Sequence, residues 1–181
     1  MIHSRDITEL LPTVRSMCVH LLTECAAKGV DLVITSTFRD HEAQAQLWRH
    51  GRGNGERIVT HRPANWSTHQ WRCAFDVMVL RHGKPISQHL CDPWEFDLWH
   101  QVGEIGERAV GLVWGGRFEG VTQEREHFEH TYGRTINDLV GGASLPETLD
   151  GHVIRFDSNG SAGWRARMRA LVPARVASIS A

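Results

Sequence analysis

The sequence predicts an α+β domain, with a small, mostly antiparallel sheet and helices packed on one side of it. Three observations lead there. Apolar runs rich in β-branched or aromatic residues are short and scattered, at residues 30–35, 74–80 and 111–114 and from His127 onward. Longer stretches with apolar residues at helical spacing carry their own start and stop signals. The two kinds of element alternate too irregularly for a parallel, doubly wound sheet, which is the alternative architecture.

In order, Asp6-Ile7-Thr8-Glu9 resembles a capping box. Ile7, Leu10, Leu11, Val14, Met17, Cys18, Leu21, Leu22 and Cys25 then recur at helical spacing up to Gly29, so one helix is expected from Ile7 on. The strand at 30–35 delivers Ser36-Thr37-Phe38-Arg39 to its end. Residues 40–50 read as a helix capped by Asp40 and stopped by Gly51, followed by a glycine-rich polar loop to Arg57. A strand at 74–80 runs into the turn Arg81-His82-Gly83-Lys84-Pro85. Asp92-Pro93-Trp94-Glu95 starts a helix with a cap, a proline in the first turn and a glutamate to close the box. Leu98, Trp99, Val102, Ile105 and Ala109 form its buried stripe, and Gly111 ends it. Residues 111–118 give a short strand and turn, His127 opens the last strand, and Ile136–Val140 is a short helix.

Residues 1–142 read as one domain and 143–181 as a C-terminal extension packed on it. Within the extension, 144–150 reads as a linker, 153–156 as a strand, and 164–172 as a basic, partly amphipathic helix expected to dock on the core, with a wall- or membrane-surface contact as its other role. A formal net charge of −1 leaves no nucleic-acid footprint. No apolar run reaches the roughly 18 residues of a membrane span. The first six residues lack the apolar core of a signal peptide, so synthesis in the cytoplasm is expected. Cys18, Cys25, Cys73 and Cys91 form no Cys-x-x-Cys pair, and packed thiols are expected rather than a disulfide framework. A monomer is expected.

The chemistry centres on Ser67-Thr68-His69-Gln70-Trp71-Arg72-Cys73-Ala74-Phe75-Asp76. Asp76 lies inside a strand that reads as buried, where an ionised carboxylate is costly unless paired or bound to a metal. His69 sits seven residues upstream in a small polar turn, and His127 is a third candidate ligand. Two histidines and a carboxylate suit an open zinc site with a water in the fourth position. A hydrogen-bonded structural pair of His69 and Asp76 fits the same residues. His61 is a competing ligand, ranked lower because no carboxylate follows it at the strand spacing.

The order of the whole pattern is more specific than any one part. Ser-x-His at 67–69, Ala-x-Asp at 74–76, Trp-Gly-Gly-x-Phe at 114–118 and Glu-x-x-His-Phe at 124–128 resemble the zinc peptidases that cut D-amino-acid-containing peptides of bacterial cell walls. These include D-Ala-D-Ala dipeptidases and carboxypeptidases, and the L-alanyl-D-glutamate endopeptidases of phage lysins. The resemblance covers roughly residues 32–138. It implies a hedgehog/DD-peptidase-like fold, with zinc on His69, Asp76 and His127. Glu124 matches the general base, with Glu126 as a rival by proximity. Arg39, in Thr35-Ser36-Thr37-Phe38-Arg39, matches an arginine that holds substrate and stabilises the oxyanion. Ser67 resembles a serine near the substrate, and Trp114 is read as a substrate-side aromatic, with packing as its other role.

The implied substrate is the peptidoglycan stem peptide, cut by a phage or prophage lysin acting on the cell wall in the periplasm after release. The L-alanyl–D-glutamate bond is the first expectation and D-Ala-D-Ala the alternative; these residues do not choose between them. A non-catalytic zinc-containing binding module is the reading from another class, and the presence of both Glu124 and Glu126 favours an enzyme. One position departs from the pattern: Arg72 stands where the family usually has glycine, a residue suited to an unusual backbone angle.

Overall fold

A computed structural model describes residues 1–53, 55–87 and 92–149. Cys91, the strand expected at 153–156 and the helix expected at 164–172 lie outside them. The described residues form an α+β domain. Its strands are β1 (Asp31–Ser36), β2 (Ala74–Arg81), β3 (Lys84–Pro85), β4 (Val113–Trp114) and β5 (His127–Glu129). They join antiparallel in the order β1-β2-β5-β4, with β3 paired to the far end of β2. The short β-branched runs therefore make the expected sheet, and β2 is its central strand. Phe75, Val77 and Val79 alternate along β2 and are fully buried.

Helix α1 (Pro12–Ala27) packs on β1 and on α3. Its buried stripe is Val14, Cys18, Leu21 and Cys25, as the spacing predicts. Its start is a correction. Asp6 does cap, accepting the Thr8 N–H at 2.8 Å, but what it caps is a separate 3-10 turn, Ile7–Glu9. The chain is extended at Leu10 and Leu11, and the helix begins at Pro12. Proline inside a continuous helix lacks the N–H for the ladder and its ring clashes with the preceding turn, whereas at the first position neither matters. Burial raises the Cys18 and Cys25 thiols to about 12 and about 11, consistent with inert packed groups.

Helix α2 (His41–Arg49) is capped by Asp40, which accepts the Ala43 N–H at 2.8 Å. Helix α3 (Pro93–Ile105) has the full Asp92/Glu95 capping box. Trp99, Val102 and Ile105 are buried, and the chain continues as a π-helical turn, Gly106–Val110, before Gly111 reverses it. A Cβ at Gly103 would lie 2.3 Å from the Trp114 ring, so the absence of a side chain there lets α3 close onto β4. Helix α4 (Ile136–Val140) carries a Thr135/Asp138 capping box. Beyond it, Leu145 is buried in the core cluster, and Glu147 accepts the Thr13 N–H and the Tyr132 hydroxyl, each at 2.8 Å. No described helix is long and apolar enough to cross a membrane.

Candidate metal centre

The register of the sheet places the site. In the β2–β5 pair Asp76 lies directly opposite His127, and in the β1–β2 pair it lies opposite Ser36. Side chains opposite one another on one face of an antiparallel pair are close enough to touch. The 3-10 turn Thr68–Trp71 precedes β2 and turns His69 back over the same face. His69 Nε2 and His127 Nδ1 each lie 3.1 Å from Asp76 Oδ1. Among the described residues, these three form the group whose donor atoms all fall within 4.8 Å of one another. Zinc takes nitrogen and carboxylate oxygen at about 2.0–2.2 Å, which sets tetrahedral donors roughly 3.3 Å apart. The donor set and its spacing fit that ion.

The histidines are held differently. His69 Nδ1 lies 2.6 Å from the Thr37 carbonyl oxygen, which can only accept, so Nδ1 carries the hydrogen and Nε2 offers its lone pair. Burial, reinforced by the Arg39 charge, lowers the His69 pKa to about 4, leaving a neutral imidazole. His127 is equally buried, but hydrogen bonds to Asp76 and Glu129 outweigh that burial and raise it to about 10. A metal entering the site would displace that proton, so binding is expected to be coupled to proton release. Asp76 stays well below the usual carboxylate range: burial opposes ionisation, but the Arg39 charge and the hydrogen bond from His127 overcome it.

Arg39 follows β1 as expected. Its guanidinium pairs with Asp76 Oδ2, its Nε donates to Ser36 Oγ at 2.9 Å, and its side chain lines the cleft above the cluster. Ser67, Glu124 and Glu129 line the same cleft, with Trp66 and Phe118 as its aromatics and Arg62 and Arg134 on its wall. His61 lines it too but is not in the ligand group, and His130 packs against Tyr132 instead.

The two candidate bases are separated by the structure. Glu124 lines the cleft and, on its other side, a cavity behind the Arg39–Asp76 pair. Glu126 lines that rear cavity and not the cleft, together with His3 and Met78, and its buried Oε2 has no hydrogen-bond partner among the described residues. Burial raises both, and burial together with the Asp76 charge takes Glu126 to about 7. That value suits a base, but reach to the reacting atom comes before pKa, and of the two only Glu124 shares the cleft with His69 and His127.

Trp114 is a correction. It was read as substrate-side, yet it is fully buried and does not line the cleft. Its indole Nε1 donates to the Arg125 carbonyl at 2.8 Å, so it braces the segment from Glu124 to His127 from behind. Next to it, a Cβ at Gly115 would lie 2.5 Å from the Glu124 carbonyl and 2.9 Å from His127 Cβ. The Trp-Gly-Gly turn thus packs against the segment that carries Glu124 and His127.

Arg72 holds the left-handed conformation, with φ 60°, where the pattern has glycine. Its side chain is buried, paired with Glu9, bonded to the Glu9 carbonyl at 2.7 Å and seated 3.9 Å over the Phe38 ring. These contacts offset the roughly 1–2 kcal/mol that a residue with a Cβ costs there. The sequence reading missed Glu129. Its signal was available: it is two residues after His127 on a strand, hence on the same face.

The chain is 29% identical over 118 residues to the peptidoglycan L-alanyl-D-glutamate endopeptidase CwlK of Bacillus subtilis (strain 168), a match covering 60% of this chain and 66% of that relative. Two solved structures share the fold with a TM-score of 0.50. One is the vancomycin-resistance D,D-pentapeptidase VanY from a VanB-type cassette, a mutant in complex with Zn(II), at 14% identity over 73% of this chain and 78% of that one. The other is the LdcB LD-carboxypeptidase, at 19% identity over 73% and 76%. Residues 8–107 match the family described as VanY, D-alanyl-D-alanine carboxypeptidase. That stretch carries Arg39, His69 and Asp76 but ends before Glu124 and His127, which reach the same cleft only through the pairing of β5 with β2. With more than half of its length matched and its fold shared, the chain belongs to the VanY D-alanyl-D-alanine carboxypeptidase family.

Proposed function

We propose that this protein is a zinc-dependent peptidoglycan peptidase that hydrolyses an amide bond of the stem peptide, with the L-alanyl–D-glutamate bond as the first candidate. The observation that carries the reading is the convergence of the donor atoms of His69, Asp76 and His127, with both histidines lining a cleft that also holds Glu124. Family membership supports the reaction class, and the CwlK relative, named for that bond, supports the choice of bond.

His69 Nε2, Asp76 Oδ1 and His127 Nδ1 hold the metal in this reading. When bound, zinc makes a water acidic enough to attack at neutral pH and polarises the scissile carbonyl. The Glu124 carboxylate takes the proton from the attacking water and returns it to the leaving amine. Its burial raises its pKa, which makes it a stronger proton acceptor than an exposed glutamate. Arg39 fixes Asp76 through Oδ2 and presents positive charge to the cleft, where negative charge develops on the carbonyl oxygen. Ser67 stands at the cleft wall as a substrate contact. Arg62 and Arg134 add positive charge there, suited to a peptide that carries free carboxylates.

The test is zymography of the zinc-loaded protein on purified cell walls, with mass spectrometry of the released fragments. New N-terminal D-glutamate is the expected product. Release of free D-alanine instead would assign the carboxypeptidase reaction. Zinc-loaded protein that binds walls and cuts nothing would replace the enzyme with a binding module.

A further inference from the structure

We infer that Glu129 is a positioning residue for the metal centre, one carboxylate that fixes both histidine-bearing segments at once. Glu129 Oε2 lies 3.0 Å from His127 Nε2 and accepts the Thr68 hydroxyl at 2.7 Å. Thr68 immediately precedes His69 in the 3-10 turn, and His127 is two residues before Glu129 on β5. The turn and the strand are 61 residues apart in sequence at the Thr68–Glu129 contact, so this carboxylate sets the spacing of two ligands the chain brings together only by folding.

The chemistry of the contact points the same way. An ionised carboxylate only accepts, so Nε2 keeps its hydrogen towards Glu129, and the proton that a metal would displace is the one on Nδ1, the nitrogen that faces Asp76. A charged acceptor behind an imidazole orients the ring and makes it a stronger donor to a metal. His69 has only the neutral Thr37 carbonyl in that place. The two ligands are therefore unequal, and His127 is the one whose strength depends on a side chain that can be changed.

The experiment is a chelator competition for Zn²⁺ on the parent, Glu129→Gln and Thr68→Val, with the melting temperature of each metal-free protein measured alongside. Glu129→Gln keeps the size and removes the charge. It is expected to weaken zinc binding about 10–100-fold, the usual effect of losing such a partner, while the metal-free melting temperature stays close to the parent's. Thr68→Val, which leaves the carboxylate but frees it, should weaken zinc binding in the same direction by less. In the zinc-loaded parent the His127 Nε2 proton should be visible by NMR and slow to exchange, and in Glu129→Gln it should exchange faster. Unchanged zinc affinity in Glu129→Gln, with only KM altered, would overturn the inference and make Glu129 a substrate contact. A loss of affinity that follows a fall in metal-free stability would overturn it in favour of a merely structural role. The inference rests on the metal reading: a parent that binds no zinc defeats both, whereas a parent that binds zinc as tightly as Glu129→Gln defeats this one alone.

Discussion

Asp76 and His127 face each other across the β2–β5 pair, and Asp76 Oδ1 lies 3.1 Å from His127 Nδ1. The same oxygen lies 3.1 Å from His69 Nε2, while Oδ2 takes Arg39. One carboxylate thus gathers three partners, two of which would be its fellow ligands in the proposed metal site.

Metal content follows directly. Purified protein is expected to carry about one zinc per chain, as a three-ligand site implies. His69→Ala, Asp76→Ala and His127→Ala should each lose most of it by elemental analysis, and His61→Ala should not. Zinc should also raise the melting temperature of the metal-free parent, because binding to the folded state alone contributes about 2.7 kcal/mol at a hundredfold excess over Kd. A His127→Ala protein with full zinc would show that the ligand set is wrong.

Catalysis should separate from metal binding at Glu124. Glu124→Gln is expected to keep its zinc and stability and to lose roughly 10²–10⁴-fold in turnover, the range for a general base. Glu126→Gln should do much less, since Glu126 faces the rear cavity rather than the cleft. Steady-state rates on soluble muropeptides decide it. An active Glu124→Gln beside an inactive Glu126→Gln would reverse the assignment.

At Arg72, strain and contact can be read apart. Arg72→Ala keeps the left-handed backbone cost and removes the Glu9 pair and the Phe38 contact, for an expected loss of about 2–4 kcal/mol. Arg72→Gly loses the same contacts but relieves the strain, so it should be about 1 kcal/mol more stable than Arg72→Ala. Urea unfolding of the two variants provides the comparison. Equal stabilities would show that the backbone is unstrained.

Glu147 supplies a pH-dependent tie between the segment after α4 and the start of α1. Burial works against its charge, but the Thr13 and Tyr132 hydrogen bonds prevail and hold its pKa below the usual value. A depressed folded-state pKa stabilises above the unfolded value, near 4.3, and that stability is lost as pH falls through the folded-state pKa. Because solvent screens this carboxylate, Glu147→Gln is expected to cost at most about 1 kcal/mol at pH 7 and progressively less on acidification. Denaturant midpoints at pH 7 and at pH 3 measure the difference.

Local signals in the sequence were strong where the structure depends on neighbours in the chain. Asp40, Asp92 and Thr135 cap helices because their side chains reach N–H groups three residues on, and Gly111 ends the long helix. The run around Asp76 read as a buried strand, and it is one. Ser67, His69, Asp76, Glu124 and His127 stand in the order of the pattern that the chain resembles, and folding brings the donor atoms of His69, Asp76 and His127 together beside a cleft lined by Ser67 and Glu124. Pro12 was also readable, and the single helix expected across it failed for a local reason, the missing N–H.

What the sequence determined by itself is the set of chemical groups and the strand and turn that carry each of them. What only the tertiary structure decided is which groups meet. Trp114 has the same composition signal whether it faces a cleft or a core, and the approach of α3 at Gly103 puts it in the core. Glu124 and Glu126 are two residues apart, and the approach of the chain to β5 sends one to the cleft and the other behind the Arg39–Asp76 pair. Glu129, beside His127 on one strand, meets the hydroxyl of Thr68, 61 residues away, only through folding. Register and packing between distant segments fix these choices, and a one-residue slip in the β2–β5 pairing would turn His127 away from Asp76 without altering the sequence.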